Sequence, residues 1–193
     1  EVVAKWGGLD ILVNNAGTSS AVRLEDMTNE RLAEDLQLKV YGAVYCMRHA
    51  LAHLKLSGSG AVVNITTPGG KAPEAGTQPT ALSRAAGISL TKAWSKEFAP
   101  NNIRVNTVCI GLLKSGQHRA RWEKANAGDP SYSLEDHWVE TGKEVPLGRV
   151  GEASEAGDGA LTTSRYMHSN SDCSNSGMDS CGVKIPRFIS STM

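Results

Sequence analysis

The 193-residue chain has no excess of either charge: Lys plus Arg and Asp plus Glu both number 20, for a formal net charge of zero. It therefore lacks the basic excess by which nucleic-acid binders neutralise phosphates, and no nucleic-acid partner is expected. Long apolar runs are also missing. The longest, such as Ile11-Leu12-Val13 and Ala61-Val62-Val63, cover a few residues, far short of the roughly 20 that cross a bilayer, which excludes a membrane span. Cysteine is sparse. The four (Cys46, Cys109, Cys173, Cys181) are irregularly spaced and form no disulfide framework, although Cys173 and Cys181 could pair. Cys46 in a helical pattern and Cys109 at the end of a strand-like run are expected to be buried, reduced thiols. Residues 1–6 show no basic region leading into an apolar one, so no secretory signal is read and a cytoplasmic, reducing location is expected. There are no internal repeats.

What is present is the composition of a soluble globular protein, 40% hydrophobic and 21% charged, long enough for one domain with a true core. After Gly7-Gly8, residues 9–14 read as a short strand whose continuous apolarity suits a strand covered on both faces. A long helical pattern begins at Thr28, a candidate N-cap with Glu30 in the first turn. Its stripe of Leu32, Leu36, Val40, Val44, Met47, Leu51 and Leu54 recurs every three or four residues until Ser57-Gly58-Ser59-Gly60 ends it. Residues 61–66, rich in β-branched side chains, predict a second strand. Three prolines and three glycines make 68–79 a loop. A second long helix is expected over 80–98 and a third strand over 103–109. Strands and helices alternating in this way imply parallel strands joined by right-handed crossovers. The fold class is α/β, a partial Rossmann-like, doubly wound parallel sheet.

Residues 112–150 read as a polar insertion, partly helical around Gln117 to Asn126. Six serines fall between Ser164 and Ser180 with few apolar neighbours, too little to offset the entropy of ordering. The expected organisation is a partial Rossmann-type domain over 1–156 and a divergent, poorly ordered tail over 157–193.

Several of these segments resemble the short-chain dehydrogenase/reductase family. Leu9-Asp10-Ile11-Leu12-Val13-Asn14-Asn15-Ala16-Gly17 is similar to its strand-4 signature, and Val63-Asn64-Ile65-Thr66-Thr67 to its strand 5. Ile103 to Val108 with Ile110-Gly111 resembles strand 6, and Pro146-Leu147-Gly148-Arg149-Val150-Gly151-Glu152 a late loop. The likeness covers about residues 1–155. It implies an oxidoreductase using NAD or NADP on a carbonyl/alcohol pair of a small-molecule substrate. It also implies a homo-oligomer built through the two long helices, and no metal. Asn15, Ala16 and Gly17 would lie beside the dinucleotide, with Ile110 and Gly111 flanking the nicotinamide. Gly17 suits such close backbone approach, although a turn alone would also explain it.

Two departures stand out. The glycine-rich turn that receives a pyrophosphate does not precede Gly7. Strands equivalent to 1, 2 and 3 are thus expected to be absent, leaving the first strand a bare edge. The family's catalytic Asn, Ser, Tyr and Lys would fall at Lys39, Thr67, Thr80 and Arg84, so all four are substituted. Thr80 is a far weaker acid than a phenol. Arg84 keeps a charge but cannot relay protons, and could hold a ribose hydroxyl or phosphate. Thr67 keeps a hydroxyl able to orient a carbonyl. Lys39 is either a solvated helix lysine or a surrogate proton donor. Tyr41 and Tyr45 are candidate acids or packing residues under the strand. Lys114 to Gln117 and Arg119 to Trp122 read as a substrate lid or a solvated helix, and His49/His53 as a coincidental pair. A non-catalytic binding or oligomerisation module, or a truncated product, is the alternative to an enzyme.

Overall fold

The computed structural model describes residues 2–126, 131–166 and 188–190. A short helix, α1 (Val2–Trp6), precedes β1 (Ile11–Asn14). Helix α2 (Asn29–Leu36) runs through a π-helical turn at Gln37–Tyr41 into α3 (Gly42–Ser57), followed by β2 (Ala61–Thr66). Helix α4 (Thr80–Glu97) leads to β3 (Arg104–Cys109). β1 pairs parallel with β2, Ile11 opposite Ala61, and β2 pairs parallel with β3, Ala61 opposite Arg104. All three strands therefore end at one edge of the sheet, as the alternation of strand and helix requires.

Every residue of β1 and β2 is buried, which is why their sequences show no alternation. Leu12 and Val62 meet Met47, Ala50 and Leu54 of α3, Trp94 of α4, and Phe98, Ile103 and Val105 in a single core. Thr28 caps α2 as the sequence indicates, its hydroxyl accepting from Arg31 N at 3.2 Å. Gly58 ends α3 in the left-handed region at φ 70°, where a side chain would be strained.

Two expectations are corrected, and a third position is located. The helix beginning at Thr28 is not continuous: the π turn inserts an extra residue per turn and changes which side chains share a face. The outer edge of β1 is not bare, because β4 (Phe188–Ser190) pairs parallel with it, giving the sheet order β3-β2-β1-β4. The boundary at 156 falls inside α7 (Ala153–Tyr166), a helix that continues ten residues beyond it. The serine-rich stretch from 169 and the Cys173–Cys181 pairing lie outside the described residues.

The chain divides into two compact units, 1–109 with 160–193, and 110–159. The second holds α5 (Gly116–Ala125) and α6 (Leu134–Gly142), the latter opened by a reciprocal capping box between Ser133 and Asp136. Its own closure comes from Gly151, which accepts from Lys114 N at 2.8 Å and donates to Leu112 O at 3.0 Å. Trp138, 7% exposed, is flanked by His137 and His118 at ring separations of 5.1 and 6.3 Å. Burial, with Arg121 and His137 adding to it, holds the His118 imidazole below its ordinary range. Among the described residues no helix is long and apolar enough to cross a membrane. No group of three or more metal-ligating side chains gathers there either.

Candidate functional site

The carboxyl ends of β1 and β2 open onto a cavity of about 510 Å³. Asn14, Asn64 and Thr66 form its sheet side, Lys39, Gly42 and Cys46 one wall, and Ser83, Arg84 and Gly87 of α4 the other. Small residues at 42 and 87 are what leave this space between the helices. A Cβ on Gly87 would already stand 3.2 Å from the Thr66 methyl.

The floor of the cavity is polar. Asn14 Nδ2 donates to Asn64 Oδ1 at 2.8 Å, and Asn64 Nδ2 donates to Thr91 Oγ1 at 2.8 Å. The Thr91 hydroxyl lies 2.8 Å from Gly87 O and 2.9 Å from Thr107 Oγ1, so the ladder crosses from β1 to β3 beneath α4. Asn14 Oδ1 is buried without a partner. Thr66 Oγ1 and Cys109 Sγ approach to 3.2 Å. Cys46 and Cys109 are free thiols as expected, half-buried rather than fully enclosed.

Above this floor stands a charged cluster. Lys39, whose side chain is 3% exposed, donates to the carboxylate of Asp35 one helical turn earlier. The other Asp35 oxygen accepts from Ser83 Oγ at 2.6 Å. Lys39 Nζ also reaches Thr80 Oγ1 at 3.4 Å, and Thr80 Oγ1 accepts from Ser20 N at 2.9 Å. Val22 N donates to Gln78 O at 2.8 Å, tying the loop after β1 to the approach of α4. Burial lowers the Lys39 ammonium from its ordinary range, the Asp35 contact opposes this, and the Arg84 charge adds to the lowering. Arg84 is lowered by burial too, against the pull of Asp35, and stays cationic at neutral pH.

The guanidinium of Arg84 donates from Nη1 to Ile65 O at 2.9 Å, while its Nε is buried with no acceptor. Its Nη2 lies against Gly17, where an added Cβ would come within 2.8 Å. The absence of a side chain at Gly17 thus leaves room for the Arg84 guanidinium to lie against the backbone.

Of the residues singled out by sequence, Lys39, Thr80 and Arg84 come together, with Gly17 against Arg84 and Ala16 on the cavity wall. Lys39 is not a solvated helix lysine. Thr67 stands at the end of β2 outside the cavity lining, its carbonyl accepting from Gly70 N at 3.0 Å, whereas its neighbour Thr66 faces the cavity. Asn15 directly follows β1. Ile110 and Gly111 directly follow β3 and open the second unit. Tyr41 and Tyr45 do not pack under the strand; they are 50% and 44% exposed, with rings 6.2 Å apart, and Tyr45 borders the cavity. His49 is exposed. The sequence reading missed Asp35 and Ser83, although Asp35 and Lys39 carry a visible i,i+4 charge spacing.

The family model described as Enoyl-(Acyl carrier protein) reductase matches residues 1–165. The chain is 31% identical over 159 residues to an uncharacterized oxidoreductase of Mycobacterium bovis, covering 82% of this chain and 60% of that protein. It is 31% identical over 155 residues to the 3-oxoacyl-[acyl-carrier-protein] reductase FabG of Thermotoga maritima, covering 80% and 58%. The chain thus spans about 60% of the length of these curated relatives. Among solved structures it is similar to a short chain oxidoreductase from Pseudomonas aeruginosa PAO1, with a TM-score of 0.76 and 31% identity, covering 84% of this chain and 61% of that one. That protein was solved with NADPH bound and is described as containing an atypical catalytic center.

Proposed function

The chain belongs to the short-chain dehydrogenase/reductase family, and from that premise we propose that the protein is an NAD- or NADP-dependent oxidoreductase interconverting a carbonyl and an alcohol on a small-molecule substrate, with Lys39 as its proton source. The observation that carries this reading is the buried Lys39 ammonium, held at the carboxyl edge of a parallel sheet and directed at the hydroxyl of Thr80. Parallel α/β sheets bind their ligands at that edge.

One feature fits the nicotinamide end of such a cofactor: the Arg84 guanidinium laid against Gly17, whose buried Nε has no acceptor. Asn15, Ala16 and Gly17 would hold the group through their backbone, and Arg84 through a ribose hydroxyl or phosphate. When bound, the nicotinamide supplies or takes up the hydride. Lys39 and Arg84 against Asp35 leave an excess of one positive charge in the cluster, which favours an anionic cofactor and a developing alkoxide.

The Thr80 hydroxyl accepts from Ser20 N and from Lys39 Nζ, so its own hydrogen is left to donate. In the reducing direction Thr80 passes that proton to the substrate oxygen as Lys39 replaces it. The alcohol forms, and Lys39 ends as a neutral amine. The pair thereby does what a lone aliphatic hydroxyl cannot, because the proton originates on an ammonium. The 3.4 Å contact is long, as proton-transfer contacts commonly are before substrate binds. Thr66 lines the cavity and Thr67 follows it at the end of β2; the proposed role for Thr67 is to orient the carbonyl.

The exposed Tyr41, Tyr45, Leu56 and Leu82 on the segments 37–57 and 80–97 support a homo-oligomer through these helices. A cytoplasmic location accords with the free thiols at Cys46 and Cys109. The test is consumption of NADPH or NADH by the whole protein with a panel of ketones. Lys39→Met is expected to lower kcat about 10²–10⁴-fold. Wild-type kcat in that variant refutes the reading.

A further inference from the structure

We propose that Asp35 is a positioning residue for Lys39: one carboxylate oxygen holds the Lys39 ammonium, the other is fixed by Ser83, and the pair keeps that ammonium charged and aimed at Thr80. The proposal rests on the reading of Lys39 as proton source, and adds a residue for which the family likeness provides no role.

Asp35 is 2% exposed. A carboxylate so placed persists only when strong donors occupy its oxygens, and here each oxygen has one. Ser83 Oγ lies 2.6 Å from Asp35 Oδ2 and 3.0 Å from the carbonyl oxygen of Thr80. The carboxylate is thus referenced to the first turn of α4, the turn that carries Thr80. Lys39 meets it from four residues along its own helix, so the two helices converge on a single anion. The arrangement defines where the ammonium points as well as its charge.

The surrounding charges make this carboxylate necessary. From its own helical segment Lys39 faces Asp35, with Glu34, Tyr45 and Cys46 around the same cavity; from α4 it faces Arg84. From β1 and β2 come the neutral Asn14, Asn64 and Thr66. Burial and the Arg84 cation both favour a neutral amine at residue 39, and Asp35 is what opposes them. Without it the amine loses its proton at lower pH and has none to pass to Thr80. A carboxylate acting only as a strap between α2 and α4 would alter stability and leave the pH profile in place.

The experiment follows kcat for ketone reduction against pH in the whole protein for the wild type, Asp35→Asn and Lys39→Met. In parallel, lysine labelled with ¹³C at Cε reports the titration of residue 39 by NMR. The expected result is that D35N moves the alkaline fall in kcat downward by roughly 1–3 pH units, with activity returning as the pH is lowered. Asp35→Glu is expected to restore part of that shift. If K39M is impaired while D35N keeps the wild-type midpoint, the positioning role is overturned and the proton-source reading stands. If K39M retains wild-type activity and profile, that reading fails and this proposal fails with it. Should D35N not fold, the wild-type titration decides: an ammonium still charged at about pH 8 supports the proposal, and a neutral amine there overturns it.

Discussion

Asn64 is the residue through which the cavity floor holds together, and its removal has a calculable cost. It is 4% exposed, accepts from Asn14 Nδ2 and donates to Thr91 Oγ1, both at 2.8 Å. In Asn64→Ala the Thr91 hydroxyl keeps Gly87 O and Thr107, so losing that bond costs about 1 kcal/mol. The Asn14 amide is stranded, beside an oxygen that is already unpaired, at about 1–3 kcal/mol. The expected loss is about 2–4 kcal/mol, a large share of the roughly 5–15 kcal/mol that stabilises a domain. Water entering the adjoining cavity sets the lower end. Asn14→Ala is expected to cost less, because it removes its own unpaired oxygen along with the bond. The double variant should then fall short of the summed singles by about 1–3 kcal/mol. Urea denaturation with an unchanged m value measures all three. Equal single costs that add to within about 0.5 kcal/mol would refute a ladder whose members depend on one another.

Two further outcomes test the packing of each unit. Gly70 follows the end of β2 by four residues, and a Cβ there would stand 2.9 Å from the Arg84 carbonyl carbon and 3.1 Å from Ala85 N, both backbone. Gly70→Ala is therefore expected to cost about 1–3 kcal/mol, while Gly69→Ala, which meets only Thr67 Oγ1 at 3.6 Å, should stay within about 0.5 kcal/mol. Equal denaturation midpoints for the two would contradict the close approach. In the second unit Arg149 grips Glu155 through two contacts of 2.9 Å, and Glu152 N donates to Glu155 Oε2 at 2.7 Å. These contacts hold the Glu155 carboxyl down at about 2 from an ordinary 4.5. The folded value lies below the unfolded one, so the stabilisation is fully present above about pH 4.5 and is lost as pH falls through about 2. Carboxyl NMR showing Glu155 titrating near 4.5 would remove this pair from the account.

The elements legible in the sequence are those whose burial leaves a compositional trace. β1 and β2 are buried throughout and so read as mostly apolar runs without alternation, and α4 keeps its helical spacing from Thr80 to Glu97. The π turn at Gln37–Tyr41 left no such trace, since Leu32, Leu36, Val40 and Val44 suit an unbroken helix equally well. Helix α6 was passed over although Ser133-x-x-Asp136 is a start signal of the capping-box kind. β4 has only three residues, and what places it is its pairing with β1. Strand partners that are distant in sequence have no periodicity to announce them.

The site was half legible, for a reason that the helix geometry makes plain. Taken alone, Lys39 reads equally as a solvated helix lysine or as a proton donor. Counted from Leu32, however, Asp35 stands three residues on and Lys39 seven, the spacing of the buried stripe itself. A single charge on that stripe would be expelled or neutralised. Two opposite charges one turn apart can enter together, provided a third group completes the hydrogen bonding. Ser83 is that group, and it comes from another helix 48 residues along the chain. The carboxylate on the apolar face was thus visible as an anomaly in the sequence, whereas its resolution required the fold. Lys39 and Arg84 are consequently parts of one charge arrangement with Asp35, and replacing either cation changes the environment of the other.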